Sequence, residues 1–134
     1  MEANPLLCAT LAGRPVVTGN SSVDRALNRI ELRCGDHADL LARMATDSVD
    51  VVYFDPMYQK PGRSGPRFDS LRLLAEYRPL SWAVLKEASR VARRRVVVAD
   101  GTDCTELERL NLKIESETRR RRFGVIECSP GKDT

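Results

Sequence analysis

A short motif of acidic, cyclic and aromatic residues offers the clearest chemistry in the sequence. It reads Phe54-Asp55-Pro56-Met57-Tyr58 and follows directly on an apolar run. An exocyclic amine of a nucleobase is a poor nucleophile because its lone pair is delocalised into the ring. The Asp55 carboxylate and the Pro56 carbonyl can accept its hydrogen bonds and localise that lone pair, and the Tyr58 ring offers a stacking face. We therefore predict catalytic roles for Asp55, Pro56 and Tyr58, in aiming a base amine at an electrophilic methyl group.

The same motif is also typical of an ordinary strand-ending turn, because Asp-Pro is common in turns. Its surroundings favour the catalytic interpretation. Residues 49–54 are nearly all apolar and β-prone, which predicts a strand covered on both faces in a parallel sheet. Residues 57–67 contain two prolines and two glycines, which predict a loop. The motif thus lies at the carboxyl end of a buried strand, where α/β proteins place their ligand sites.

Helices and strands alternate along the chain. Apolar residues at helical spacing predict helices whose capping residues are Ser22, Asp36 and Ser81. The strands that the pattern predicts are residues 30–34, 49–54, 95–99, 111–118 and 122–128. This order predicts an α/β fold with a mainly parallel sheet that ends in antiparallel strands.

Arginines form two clusters, at residues 93–95 and 119–122. The formal net charge is only +3, from 22 basic and 19 acidic residues, so the total permits RNA binding without demanding it. Clustered arginines neutralise phosphates and hold a nucleic acid in register, which makes Arg119, Arg120, Arg121 and Arg122 candidate nucleic-acid-binding residues. Solvated strand edges explain both clusters equally well.

Length and composition exclude several classes of protein. A chain of 134 residues suits a single domain over residues 1–134. No apolar run approaches the roughly 20 residues of a membrane helix, and no signal-peptide pattern opens the chain, so we expect a cytoplasmic protein without a membrane partner. The 4 cysteines form no C-x-x-C pair and there is 1 histidine, so we predict no metal site and four reduced thiols.

With these motifs in place, the sequence resembles the RsmJ-like family of small-subunit ribosomal RNA guanine-N2 methyltransferases. The resemblance runs from about Met1 to Pro130. It is carried by residues 2–5, 51–58 and 95–98 and by the terminal strands around Arg122. The strand that ends in Asp-Pro-Met-aromatic is fairly specific, because many amine methylases have a second proline at the methionine position.

The resemblance implies a Rossmann-like class I methyltransferase fold with S-adenosylmethionine as cofactor. It implies that Glu2 binds the cofactor ribose with Ala3 beside it, that Asp36 and His37 contact its adenine side, and that Asp55 lies between cofactor and target base. For His37, an exposed position in a first helical turn is an equal alternative. The implied reaction is methyl transfer to the exocyclic N2 amine of a guanine in 16S rRNA, with ribosomal RNA and the small ribosomal subunit as partners.

The sequence departs from the family pattern in two places. Ala99-Asp100-Gly101 stands where the family has a basic residue and a proline. In addition, no glycine-rich turn follows a strand, whereas class I enzymes bind their cofactor at such a turn after the first strand. We therefore expect an incomplete fold that lacks this strand and turn. The chain would be the C-terminal part of an N-terminally truncated methyltransferase domain, inactive alone and a weak binder of cofactor at most.

Three alternatives stay open on the sequence. One is an amino-methylase that acts on adenine or cytosine in DNA or RNA. Another is a non-catalytic RNA-binding accessory module that uses residues 119–122 and binds RNA even after Asp55→Ala. The third is a chain that self-associates through exposed strand edges, or that pairs them with a missing N-terminal segment.

Overall fold

The chain divides into two compact units, Met1–His37 and Ala38–Thr134, each with its own set of contacts. The computed structural model describes residues 17–56, 78–102 and 104–129. The assignment of residues 1–134 to a single domain stays a prediction. No helix in these three ranges has both the length and the apolar character that crossing a membrane requires.

The first unit contains helix α1, Ser21–Leu27. Its cap is Asn20, whose side-chain oxygen accepts hydrogen bonds from the backbone N–H groups of Ser22 (3.1 Å) and Val23 (3.3 Å). The predicted Ser22 cap is therefore wrong by two residues. An asparagine side chain in extended backbone reaches two otherwise unpaired N–H groups at once, which is the general function of an N-cap.

The strand predicted at residues 30–34 does not form. The backbone N–H of Ile30 bonds to the Leu27 carbonyl (3.1 Å), which continues the last turn of α1. Ile30 is 71% exposed, Leu32 is only partly buried and Cys34 forms no more than an isolated bridge, so this face is poorly covered in the described part of the chain. Alternating apolar residues are therefore not sufficient to predict a strand, because a strand also needs a face that becomes buried.

The described cysteines differ in their redox state. Cys104 and Cys128 are thiols outside any disulfide, as predicted. Cys34 is disulfide-bonded, so the prediction of a reduced thiol is wrong there. That prediction depended on burial of Cys34 within the strand at residues 30–34, and Cys34 is exposed instead.

The second unit is built on a sheet of strands β1 (Val49–Phe54), β2 (Ala92–Gly101), β3 (Ile114–Glu117) and β4 (Arg121–Glu127), in the order β1-β2-β4-β3. Strands β1 and β2 are parallel, whereas β2–β4 and β3–β4 are antiparallel. The α/β class and the antiparallel C-terminal pair are confirmed. A parallel majority is not found among the described strands, because the tight β3–β4 hairpin forces an antiparallel pair.

Helix α2 is His37–Ala42, and helix α3, Trp82–Val91, lies between β1 and β2 in the chain. The Ser81 hydroxyl accepts the Val84 N–H (3.2 Å), which confirms Ser81 as the α3 cap. One face of α3 joins the core of the second unit, and its buried residues are Val84, Leu85, Ala88 and Val91. Each large side chain buried there contributes on the order of 1.5–3 kcal/mol, which holds the helix against the sheet.

Helix α4, Glu106–Arg109, is a single turn closed by backbone bonds. Asn111 adopts a left-handed conformation (φ 48°), and the Leu112 N–H bonds to the Leu107 carbonyl (2.8 Å). This is the bonding pattern of a Schellman cap, in which asparagine is the usual substitute for glycine. The cap turns the chain sharply from α4 toward β3.

Strand β1 is less buried than predicted. Val51 is 45% exposed and Tyr53 is 52% exposed, so the prediction of a strand covered on both faces is wrong. Val52 and Phe54 pack against the core from the opposite face. Within the described residues, β1 is an end strand of the sheet, which explains its lower burial.

Candidate functional site

Asp55 and Pro56 lie at the carboxyl end of β1, as predicted. The strand ends at Phe54, whose parallel partner on β2 is Val98. Proline ends the ladder because it has no N–H to donate, and it restricts the conformation of the residue before it. The Asp55 side chain is 45% exposed and therefore accessible to a ligand. An accessible carboxylate at the carboxyl edge of a parallel pair stands where α/β folds bind ligands.

Arg121, the first residue of β4, forms an ion pair with Asp55. The distance from its Nη1 to Asp55 Oδ1 is 2.6 Å, and the Arg121 side chain is 48% exposed. Because β2 lies between β1 and β4, the guanidinium reaches across the end of β2, where Arg121 is in register with Gly101. The structure therefore brings together one predicted catalytic residue and one predicted nucleic-acid-binding residue.

Two hydrogen-bond acceptors stay available beside this pair. Among the described residues, the partner of Asp55 is Arg121, which occupies Oδ1, and no described donor bonds to Oδ2. In the same part of the chain, no donor bonds to the Pro56 carbonyl. These are the two acceptors that the sequence assigned to a base amine. Tyr58, the predicted stacking residue, lies outside the described residues.

The turn between β3 and β4 presents the remaining arginines of the cluster. The Thr118 N–H bonds to the Arg121 carbonyl (2.7 Å), and the Thr118 hydroxyl accepts the Arg121 N–H (3.0 Å). That hydroxyl also accepts the Arg120 N–H (3.4 Å). Arg119 and Arg120 are exposed on this closed turn. A fixed turn with exposed guanidinium groups is suited to contacts with phosphates.

Arg122 differs from its neighbours because it is buried. Its guanidinium contacts the Asp100 carboxylate (3.1 Å), the Glu108 carboxylate (2.5 Å) and the Cys104 carbonyl (2.5 Å). The hydrogen bond from Arg122 lowers the pKa of Glu108, and the same bond raises the pKa of Arg122. Arg122 therefore fastens β4 to β2 and α4, and its burial removes it from the set that can contact RNA.

Sequence reasoning missed the role of Asp100 in this network. Asp100 is 1% exposed, and its Oδ2 accepts bonds from Arg122 and from the Leu107 N–H (both 3.1 Å). The signal was present, because Arg121 and Arg122 point to opposite faces of a strand and an acidic residue ends the apolar run of β2. Asp100 Oδ1 and Arg122 Nε are buried without a hydrogen-bond partner.

The predicted cofactor residues fall in different parts of the chain. Asp36 and His37 are partly buried where α2 begins, and both belong to the first unit. Asp55 belongs to the second unit. Glu2 and Ala3 lie outside the described residues. The roles of these four residues toward a cofactor therefore stay predictions.

Comparison with known proteins gives two findings. A family model described as "Putative SAM-dependent methyltransferase" matches residues 2–127. The chain is also 35% identical over 114 residues to the uncharacterized protein YpiP of Bacillus subtilis (strain 168), a match that covers 84% of this chain and 44% of that protein. The chain thus matches less than half the length of this relative.

Proposed function

The chain belongs to this family of S-adenosylmethionine-dependent methyltransferases, and on that premise we propose that the protein methylates the exocyclic N2 amine of a guanine in 16S rRNA. The observation that carries the proposal is the position of Asp55. Its exposed carboxylate lies at the carboxyl end of β1, next to the Pro56 carbonyl and beside the arginine turn. Ribosomal RNA and the small ribosomal subunit are the proposed partners, and the cytoplasm is the proposed location.

The chain's own contribution to this reaction is to orient and polarise the amine. Asp55 Oδ2 and the Pro56 carbonyl accept the two N–H hydrogens of the base, which localises the nitrogen lone pair. S-adenosylmethionine, when bound, supplies an electrophilic methyl group. Fixed acceptors on a folded strand end need no reorganisation when the charge on the nitrogen changes, which is the main source of electrostatic catalysis.

The described residues fit part of the cofactor. The Asp55 carboxylate suits a ligand that carries a positive sulfonium centre when Arg121 does not neutralise it, because opposite charges attract at the edge of a protein surface. The glycine-rich turn of class I enzymes is not found in the ranges that the structure describes: Gly19 and Gly35 follow no strand, Gly101 ends β2 without a second glycine after it, and Gly124 lies inside β4. The described residues therefore include a group suited to the sulfonium of the cofactor, and they do not include the turn that would hold its methionine part.

Transfer of a radiolabelled methyl group tests the proposal. The chain, and the same chain joined to the segment translated upstream of Met1, are incubated with labelled cofactor and 16S rRNA, with duplex DNA as competitor substrate. We expect label on guanine N2 of the RNA from the joined chain, little from the chain alone, and at least about a hundredfold less from the joined chain after Asp55→Ala. Label on adenine or cytosine would instead support the alternative amino-methylase, in which the same two acceptors would bind the amine of that base.

A second candidate function is a non-catalytic RNA-binding module. The exposed Arg119 and Arg120 on a closed turn favour it, since contacts to phosphates need no catalytic group. This candidate predicts RNA binding that weakens with salt, needs no cofactor and persists after Asp55→Ala. RNA binding without methyl transfer from either form of the protein would support it over the methyltransferase.

A further inference from the structure

The Asp55–Arg121 ion pair joins two groups to which the proposed function gives different tasks. Asp55 is the acceptor for the base amine, and Arg121 belongs to the turn proposed to contact RNA. In the structure, each is the other's partner at 2.6 Å. While they are paired, Arg121 occupies one of the two carboxylate oxygens of Asp55, and Asp55 occupies a cation that could otherwise bind a phosphate.

We propose that Arg121 exchanges between Asp55 and an RNA phosphate, so that RNA docking frees Oδ1 of the carboxylate in addition to Oδ2, which is already available to the target amine. This inference rests on the proposed function and adds a coupling between substrate binding and the acceptor site. Without RNA, Arg121 holds Asp55 Oδ1. With RNA, a phosphate takes the guanidinium and both carboxylate oxygens face the base.

The exposure of the pair makes this exchange reversible. Both side chains are about half exposed, at 48% for Arg121 and 45% for Asp55. An exposed ion pair of this kind favours the paired state by no more than about fivefold. Phosphate is a strong competitor because the planar guanidinium binds its oxygens through two parallel hydrogen bonds.

The surrounding structure confines the exchange to the Arg121 side chain. Its backbone is fixed on one side by the Thr118 hydroxyl, which accepts the Arg121 N–H (3.0 Å). It is fixed on the other side by Arg122, which is buried against Asp100 and Glu108. The guanidinium of Arg121 can therefore change partner while β4 keeps its register with β2.

Charge on the turn explains why a phosphate would arrive at this position. Arg119 and Arg120 are exposed and directly precede Arg121. Three guanidinium groups on one short turn concentrate positive potential, which attracts the RNA backbone. The carboxylate of Asp55 opposes that attraction, because it neutralises one of the three.

Fluorescence anisotropy with a fluorescein-labelled, guanine-containing single-stranded RNA tests the exchange over a series of KCl concentrations. We expect Asp55→Asn to tighten RNA binding by about two- to fivefold, because Arg121 no longer has to leave a carboxylate. The slope of log affinity against log salt should steepen by up to about 0.7, the value of one phosphate contact on a single strand. In an Arg121→Ala background, Asp55→Asn should lose this effect.

Asp50→Asn is the matched control. Asp50 lies on the same strand β1, pairs with Arg93 at 3.0 Å and is exposed, so its substitution makes the same change in net charge away from Arg121. Equal effects of Asp50→Asn and Asp55→Asn would overturn the exchange, as would an Asp55→Asn effect that persists without Arg121. Absence of RNA binding by the unmodified chain and all variants would overturn the exchange together with the proposed RNA substrate. If the variants change RNA affinity as expected but no methyl transfer is detected, the exchange is supported and only the methyltransferase activity is contradicted.

Discussion

At the residue scale, adjacent arginines of one run have opposite roles because they face different sides of a strand. Arg121 is about half exposed and pairs with an exposed carboxylate, whereas Arg122 is buried against Asp100 and Glu108. Exposed pairs contribute little to stability, and buried charges are costly when they lose their partner. Substitutions at these two positions should therefore report on different properties of the protein.

Substitution of Asp55 should affect catalysis and leave stability nearly unchanged. We expect Asp55→Ala to lower the rate of methyl transfer by about a hundredfold or more, because it removes a fixed acceptor for the amine. Asp55→Asn should lower it less, since the amide keeps an acceptor oxygen. The free energy of unfolding should change by no more than about 0.5 kcal/mol at this exposed position. Single-turnover kinetics and thermal unfolding measure the two effects, and a large loss of stability would contradict a catalytic role.

Substitution of Arg122 should have the opposite result. Arg122→Ala leaves Asp100 buried without its charged partner, and breaking such a pair costs about 3–5 kcal/mol. Arg121→Ala, the matched control in the same strand, should cost about 1 kcal/mol at most. Urea unfolding followed by Trp82 fluorescence compares them, with Arg122→Lys as an intermediate variant if the alanine variant is unfolded. Similar costs at both positions would show that Arg122 does not stabilise the fold.

At the element scale, the sequence predicted the strands that bury apolar side chains and failed where burial depends on distant partners. Strands β2 and β4 were predicted because their apolar residues are a local signal, and β3 was predicted from its sequence pattern although all four of its residues are exposed. The failure at residues 30–34 and on the outer face of β1 has a common cause. Alternation and apolar runs show which residues can be buried, whereas the elements that cover them are set by the tertiary fold.

The candidate site was also predictable only in part: local rules gave the position of its residues on the strand and did not give their long-range contacts. The position of Asp55 and Pro56 followed from a proline that ends an apolar strand, which is a local rule. The pairing of Asp55 with Arg121 was not predictable, because the two residues are 66 positions apart and meet through the strand order β1-β2-β4. The burial of Arg122 required the register of β4 against β2, which sequence periodicity alone does not give.

Helix α4 should make stability depend on pH below the ordinary glutamate range. It has a single turn, and hydrogen bonds from Arg109 and Arg122 lower the pKa values of Glu106 and Glu108 respectively. A lowered pKa in the folded state means that the carboxylate stabilises the fold above the unfolded pKa of about 4.3 and that this contribution is lost as the pH falls through the folded value. We therefore expect the free energy of unfolding to decrease over this acid range.

Glu108→Gln should flatten this acid decrease, since the amide does not titrate. Glu115→Gln, on the exposed strand β3, is the control that changes the same charge outside the network. Urea unfolding at a series of pH values measures both variants. An identical pH dependence in the Glu108→Gln variant and the unmodified chain would show that the Arg122 pair does not contribute.

At the scale of the whole molecule, the outer side of β1 is a candidate contact surface for another chain or segment. In the sheet of the described residues, β1 has β2 on one side and no strand on the other. Its face carries the exposed side chains of Val51 and Tyr53. An unpaired strand edge next to apolar side chains is a template for pairing, and proteins usually block such edges with charges, prolines or cover from other elements.

We therefore expect the chain to self-associate through β1 in proportion to its concentration, which sedimentation velocity measures. Val51→Lys should shift the distribution toward monomer, because a charge at the edge strand disfavours pairing and removes apolar surface from the contact. Val23→Lys, which replaces an exposed apolar residue on α1, should leave it unchanged. If the segment translated upstream of Met1 supplies a strand to this edge, the joined chain should be monomeric even without the lysine. Equal association by all of these proteins would show that the β1 edge is not the contact.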